Sequence, residues 1–422
     1  MGIGAFIAGL RRNWLQIHPP VAPKEKDAIK IGILGAATIA PMALITPALS
    51  HPGVIVYAVA ARDKARAAAF AKTHNIPVVK ESYDAILDDP EITAVYIPLP
   101  GGLHFEWAVK ALAKGKHVLL EKPSVPNSHE AEVLFHHPVL TSNPSPPVLL
   151  EAFHSRFTPA WKLFQSLLSP QDISHVLATA HVPSFVAKDT DIRFNFEIGG
   201  GALLDLGTYP VAAVRSAFGA EPTECVDAKL TAMAPPYERC DHSFRAKFSF
   251  PNGGVGEVDG TLRASNWWIS LPTVTVTHRP VTVSSKEVKV EAGNLVTKTR
   301  IVTFVNFMFA PMYHRIDVVD EFVVTTPSNQ LVKRWTKKET KKAYTFREIG
   351  VDQPGEIYWT TYRHMLEQFV NKVKGRQGTG VWVNGEDSVN QARMLDMIYT
   401  KDGLGPRPES KYLKEVEGQL KE

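Results

Sequence analysis

Cysteine is nearly absent: only Cys225 and Cys240 occur in 422 residues. That excludes a disulfide framework and makes a reducing, cytoplasmic compartment the expectation, with a pairing between the two left open. A surplus of one charge is also missing. The 47 Lys and Arg nearly balance the 43 Asp and Glu, for a net charge of +4, and the cations are dispersed, so no nucleic-acid partner is expected. No stretch reaches the roughly 18 consecutive apolar residues of a membrane span, so no membrane partner is expected either. Metal-ligand spacings such as His-x-x-x-His or Cys-x-x-Cys are lacking, which predicts no metal. No repeat at a solenoid period appears.

What is present is ordinary for a globular chain of roughly two to three domains: 44% hydrophobic and 21% charged residues. At the start, apolar Ile3 to Leu10 precedes Arg11-Arg12, the reverse of the order in a secretory signal. Residues 1–29 read as an arm running into Pro19-Pro20-Val21-Ala22-Pro23. It is expected to pack on the body or on a partner subunit, with Trp14 as its anchor.

From residue 29 onward strands and helices alternate. Ile29 to Leu34 is a buried strand closing on Gly35, and Met42 to Leu49 follows as a helix. Val54 to Ala60, Ala94 to Ile97, Val118 to Leu120 and Val148 to Phe153 are further strands. Helices fall between them at Lys64 to His74, Ser82 to Leu87 and His104 to Ala113. That rhythm predicts a parallel, doubly wound sheet. After about residue 175 the period changes to alternating strands joined by turns such as Pro251-Asn252-Gly253-Gly254. One expected strand runs from Val274 to Val290, and the run Lys337 to Lys342 reads as a solvated loop. Trp267-Trp268 is expected to pack against a sheet or a subunit interface. The prediction is an α/β chain. A Rossmann dinucleotide-binding domain spans 30–155, an α+β domain with a large, mostly antiparallel open sheet spans 156–400, and 401–422 is a tail.

The turn Gly35-Ala36-Ala37-Thr38-Ile39-Ala40 has the pattern G-x-A-x-x-A. Small residues there let backbone amides approach a pyrophosphate at a helix start. About twenty residues on, the second strand ends in Ala61-Arg62-Asp63, where NAD sites place an acid on the ribose 2′-hydroxyl. Arg62 suits a 2′-phosphate and favours NADP over NAD, or else caps the strand in solvent. The fourth strand ends in Glu121-Lys122-Pro123. Proline stops the strand, and the lysine stands where open α/β sheets bind ligands, beyond the carboxyl ends of the strands.

These pieces, with Pro98-Leu99-Pro100-Gly101-Gly102-Leu103-His104 and Gly199 to Tyr209 in one order, resemble the Gfo/Idh/MocA oxidoreductases over roughly residues 29 to 400. Within that family the chain is most similar to the NADP-dependent D-xylose 1-dehydrogenases and dimeric dihydrodiol dehydrogenases, because Tyr209 stands where inositol dehydrogenase-like members carry histidine. The resemblance implies that Lys122 sits beside the nicotinamide and that Tyr209 exchanges the proton. It implies that Asp205, one helical turn before Tyr209, is either catalytic or structural. Leu99, Pro100, His104 and Glu121 fall among the implied cofactor contacts. Arg156, Phe157, Arg193 and Asn195 are candidates to line the substrate cleft with Lys122, Asp205 and Tyr209. A nearby ammonium is expected to lower the tyrosine pKa. The expected reaction is hydride transfer between a pyranose sugar, or a related cyclic diol or ketone, and NADP, in a homodimer or larger assembly formed through the second sheet. A non-catalytic NAD(P)-sensing regulator of the same family and a sugar–sugar oxidoreductase with retained cofactor are the alternatives. Ala37 and Ala40 depart from the glycines of the turn, and 280–350 is longer than a compact member needs.

Overall fold

The computed structural model describes residues 3–142, 144–265, 270–284, 288, 290–291 and 293–421. Trp267-Trp268 lies outside the described residues.

The first sheet holds β1 (Ile29–Leu34), β2 (Val54–Ala60), β3 (Val78–Val79), β4 (Ala94–Ile97), β5 (His117–Leu120) and β6 (Leu149–Glu151). Its order is β3-β2-β1-β4-β5-β6, every pair parallel. Crossover helices cover both faces, so Ile31, Ile33, Val118, Leu119 and Leu120 are fully buried, as continuous apolar runs require. Local chemistry sets the helix starts. Asp63 caps Lys64–His74 through the amide of Arg66, and Ser82 caps Tyr83–Leu87 through that of Ala85. β3, at two residues, is too short to carry a periodicity and escaped the sequence reading.

The second sheet is built from β7 (Ile173–Pro183), β8 (Glu224–Ala232), β9 (Asp241–Ser249), β10 (Val255–Ala264), β11 (Thr273–His278), β12 (Val281–Thr282), β13 (Leu295–Val305), β14 (Arg315–Thr325) and β15 (Leu331–Lys341). Eight strands run in the order β15-β14-β13-β11-β7-β10-β9-β8, and β12 pairs with β13. Only β7 and β10 pair parallel among the described strands. The helix Thr208–Phe218 packs on β7 and β10, placing the site residues over the inner face.

Four expectations need correction. The charge run at 337–342 belongs to a strand, since β15 pairs with β14 from Ile316↔Lys341 to Thr325↔Leu331. It is an edge strand with most residues solvent-exposed, where lysines deter further pairing. The stretch from Val274 is broken: Arg279-Pro280 separates β11 from the short β12, because proline lacks a ladder donor. The arm packs on the body, but Trp14 is 59% exposed. Its anchors are Arg12, bonded to the Pro311 and Met312 carbonyls and stacked on Tyr344, and Gln16, bonded to Pro311. Finally, the stretch expected as a tail is folded into the body over its described residues, 401–421: Leu413 and Val416 enter the apolar cluster around Val118 and Leu120.

Candidate active site

β1, β4 and β5 end at one edge, with Ile33 opposite Tyr96 and Ile97 opposite Leu120. β2 and β4 flank β1 on opposite sides, so the crevice opens at the switch point between β1 and β4. Gly35 sits there at φ +109°, a conformation reserved for glycine, and a Cβ would press against Leu99 at 3.0 Å. The Gly35 amide donates to Ala60, and Ala37 and Ala40 close the turn through Gly35 and Ala37 carbonyls. Ala36 and Ala40 are buried, Thr38 is exposed, and Ala37 and Ile39 lie between. This leaves a small-residue cradle with an open mouth, and a dinucleotide fits it. Arg62 is exposed at the end of β2, and Arg66, unforeseen from the sequence, donates to the Ala36 carbonyl at 2.8 Å. Two guanidinium-bearing residues therefore stand at the end of β2, one of them touching the cradle. Asp63 is committed to its helix cap.

At the end of β5, Lys122 Nζ donates to the Asp205 backbone carbonyl at 2.8 Å and to Asp205 Oδ1 at 3.1 Å. Its side chain is 12% exposed. The second Asp205 oxygen accepts from Arg193 Nε at 2.9 Å. Burial pushes the Asp205 carboxyl upward, but Lys122 and Arg193 outweigh it and hold it below its ordinary value. Asp205 lies in a π turn, Leu203–Gly207, followed directly by the helix Thr208–Phe218. Pro210 has no amide hydrogen to give the carbonyls of that turn, and Lys122 supplies one donor instead.

Lys122 Nζ stands 5.0 Å from the centroid of the Tyr209 ring. The phenol is buried, and its pKa is raised well above the ordinary value by that burial and by the carboxylates of Glu121 and Asp205. This overturns the expected depression: burial first, and then the two carboxylates, set the direction. Tyr209 Oη meets His154 Nε2 at 2.8 Å. His154 is fully buried, and its ring lies 4.0 Å from that of Tyr362. Burial, aided by Lys122, lowers its pKa to about 3, so the imidazole is neutral.

The remaining candidates divide. Glu121 is buried, accepts from Tyr96 Oη at 2.7 Å and from the Lys122 amide at 3.1 Å, and so braces the loop beneath the site. His104 is 1% exposed. Its Nε2 faces the Leu99 carbonyl at 2.7 Å and its Nδ1 the Pro123 carbonyl at 3.0 Å, so the ring stands between the Leu99-Pro100 loop and the Lys122 loop and its N–H bonds one of the two. Arg193 joins the site through Asp205. Asn195 caps a short turn through the Glu197 amide and takes the Gly200 amide on its carbonyl. Arg156 is drawn away to Asp387, and Phe157 is 0% exposed in the core, so neither lines the cleft. His154, two residues before Arg156, escaped the sequence reading. Its only signal was a histidine just beyond the end of β6, on the same sheet edge.

Residues 29–139 match the oxidoreductase family with NAD-binding Rossmann fold, and residues 172–277 match the GFO/IDH/MocA C-terminal domain. An uncharacterised oxidoreductase of Rhizobium meliloti is 42% identical over 46% of this chain and 58% of its own length. The NADP-dependent D-xylose 1-dehydrogenase 2 of Haloferax volcanii is 37% identical over 44% and 57%. The trans-1,2-dihydrobenzene-1,2-diol dehydrogenase of Xenopus tropicalis is 36% identical over 48% and 60%. The chain thus spans a little over half the length of the curated relatives it matches. A 3-ketoreductase from Actinomadura kijaniata, solved with NADP and TDP-benzene, superposes with a TM-score of 0.64 at 23% identity, covering 89% of this chain and 98% of its own. A levoglucosan dehydrogenase solved with NADH and levoglucosan gives 0.64 at 20% identity, covering 90% and 100%; both share the fold. The matched segments take in β1 to β5 of the first sheet and β7 to β11 of the second, and the chain belongs to the Gfo/Idh/MocA oxidoreductase family.

Proposed function

We propose that the chain is an NADP-dependent oxidoreductase that interconverts a carbinol and a ketone or lactone on a pyranose sugar or related cyclic diol. The observation that carries this reading is the meeting of Lys122, Asp205 and Tyr209, from two distant parts of the sequence, on the sheet edge that also carries the Gly35 cradle. When bound, the nicotinamide supplies the hydride acceptor or donor. The chain supplies position, charge and the proton. Gly35 to Ala40 would hold the pyrophosphate, and Arg62 with Arg66 the 2′-phosphate. Lys122 would hold the reacting oxygen and stabilise charge developing on it, with Asp205 and Arg193 fixing the ammonium in place. Tyr209, kept protonated by its surroundings, is suited to donate a proton to a carbonyl oxygen and to recover it in the reverse direction.

Supporting the sugar and diol classes are the activities for which the relatives above are named. A spectrophotometric panel of pyranoses and cyclic diols, run with NADP against NAD, tests the reading. Turnover of at least one member with NADP preferred is expected, and no turnover of any would overturn it. Both cysteines are free and buried, in keeping with a reducing, cytoplasmic setting, and no described helix is long and apolar enough to cross a membrane. We also propose a homodimer or larger assembly through the outer face of the nine-stranded sheet, where Glu257, Asp259, Thr273 and Thr275 stand partly exposed while Val258, Val274 and Val276 point inward to the core.

A further inference from the structure

We infer that His154 is a positioning residue for Tyr209, donating its Nε2–H to the phenolic oxygen so that the phenol's own hydrogen is left free for the substrate. The inference rests on Tyr209 being the proton donor proposed above. Three observations fix the arrangement. The first is the 2.8 Å contact between His154 Nε2 and Tyr209 Oη. It is the single hydrogen bond of that hydroxyl among the described residues. The second is the state of the other ring nitrogen: His154 Nδ1 is buried without a partner. The third is the enclosure of the ring by Tyr362 at 4.0 Å, Phe309 at 5.9 Å and Tyr209 itself at 5.5 Å between centroids.

A neutral imidazole carries one N–H, and its place follows from these contacts. On Nδ1 it would be a buried donor with nothing to accept it, the arrangement folded proteins most consistently avoid. On Nε2 it meets the phenolic oxygen. Tyr209 Oη then accepts from His154, and its own O–H must point elsewhere. Lys122, a donor only, stands on the side of the Tyr209 ring at 5.0 Å from the centroid and offers that hydrogen no acceptor. One hydrogen is left over in either tautomer: on His154 Nδ1, in a ring with no exposure, nothing reaches it, whereas on Tyr209, which keeps 5% exposure beside the partly exposed Lys122, water or a substrate oxygen can take it.

The chemical consequence balances. In the reducing direction the Tyr209 O–H bond breaks and a new O–H bond forms on the substrate oxygen, balanced by the hydride that a bound reduced nicotinamide would supply to the carbonyl carbon. The negative charge stays on Tyr209 Oη, where the His154 N–H continues to donate and the Lys122 ammonium stands close by. Solvent water returns the proton between turnovers. In the oxidising direction the steps reverse. His154 itself neither gains nor loses a proton. Its part is to make the phenolate less costly inside a site that otherwise disfavours it, and to aim the phenol's hydrogen.

The test uses the full chain and two readouts. In a long-range 1H–15N spectrum of protein labelled at histidine, with His154→Phe used to assign the signal, the proton is expected on Nε2. A proton on Nδ1 overturns the inference. In an ultraviolet pH titration, with Tyr209→Phe subtracted, His154→Phe is expected to raise the ionisation pH of Tyr209 by about one unit or more. Turnover is expected to fall about ten- to a hundred-fold with NADP affinity unchanged. His154→Gln, which keeps a donor, is expected to recover part of both losses. An unshifted titration in His154→Phe overturns the inference, and so does equal damage from the two substitutions. Should His154→Phe not fold, the wild-type 1H–15N spectrum with His154→Gln as the assignment variant still decides it. Failure of every sugar and diol to turn over would remove the oxidoreductase reading while leaving the position of the His154 proton measured, so the two failures are distinct.

Discussion

In the proposed reaction Lys122 and Tyr209 divide the chemistry between them, and substitution should separate their work from cofactor binding. Lys122→Met removes the charge beside the reacting oxygen but keeps the length of the side chain. Tyr209→Phe removes the hydroxyl, and with it the proton and the partner of His154 Nε2. Each is expected to cut turnover by about 10²–10⁴-fold while NADP affinity, read by fluorescence titration, changes little. Full activity in Tyr209→Phe would remove the proton-transfer role. Asp205 is a different case, since it holds Lys122 by a carboxylate oxygen and by its backbone carbonyl. Asp205→Asn keeps the backbone bond and is expected to be milder than Lys122→Met. Lys122 was legible because Glu-Lys-Pro ends an apolar run, and Tyr209 because a glycine run precedes it. His154 was not, because it reaches Tyr209 across 55 positions and no local pattern ties the two. Arg156 and Phe157 show the converse: they stand next to His154 in sequence, yet one turns toward Asp387 and the other into the core.

At the scale of elements, the β2 end is the clearest case of a signal read in part. Arg62 was visible because the acid of an NAD site is missing there, while Arg66 is one turn into the following helix and reaches back to Ala36 only in three dimensions. The double variant Arg62→Ala/Arg66→Ala is expected to lose most of the preference for NADP over NAD, on the order of ten- to a hundred-fold in kcat/KM, with turnover on NAD little altered. An unchanged ratio would place the 2′-phosphate elsewhere. Strand joins bring a second consequence, in pH. His314 donates from Nδ1 to the Ala310 carbonyl at 2.7 Å and accepts the Ala343 amide on Nε2 at 3.0 Å. His278 likewise bonds the Arg300 carbonyl and the Ser169 amide. Each ring must be neutral to serve both partners. Burial lowers the His314 pKa to about 4 and lowers that of His278 as well. A folded pKa below the unfolded one means the unfolded chain binds more protons in that window. Stability is therefore complete above about pH 6.5 and declines as pH falls toward 4, by up to about 1.4 kcal/mol per unit for each such group. Urea midpoints at pH 7.5 and pH 5 should differ in that direction, and equal midpoints would contradict it.

Across the whole molecule, the two sheets were legible from the change in hydrophobic period near residue 175, but what joins them was not. Arg407 lies in a stretch that reads as a tail, yet it is buried against Asp241 at the start of β9, at 2.6 Å. The same guanidinium donates to the Gly200 carbonyl at 2.6 Å. Asp241 Oδ2 accepts the Leu203 amide at 2.7 Å, and Tyr399 donates to Oδ1 at 3.0 Å. Gly201 passes so close that a Cβ would stand 2.4 Å from both Arg407 and Asp241. The glycine run thus has a reason the sequence alone did not supply: it lets the backbone before Asp205 and Tyr209 cross a buried ion pair. No spacing rule links residue 407 to residue 241, so only the folded chain reveals it. Arg407→Leu leaves Asp241 as an unpaired buried carboxylate, which costs about 3–5 kcal/mol, and frees the loop that aims Asp205 at Lys122. The variant is expected to be markedly less stable to urea and to lose activity even where it remains folded. Arg407→Leu combined with Asp241→Asn removes the stranded charge and should recover much of the stability. If the double variant is no more stable than Arg407→Leu alone, the ion pair is not what fastens the C-terminal segment to the active-site loop.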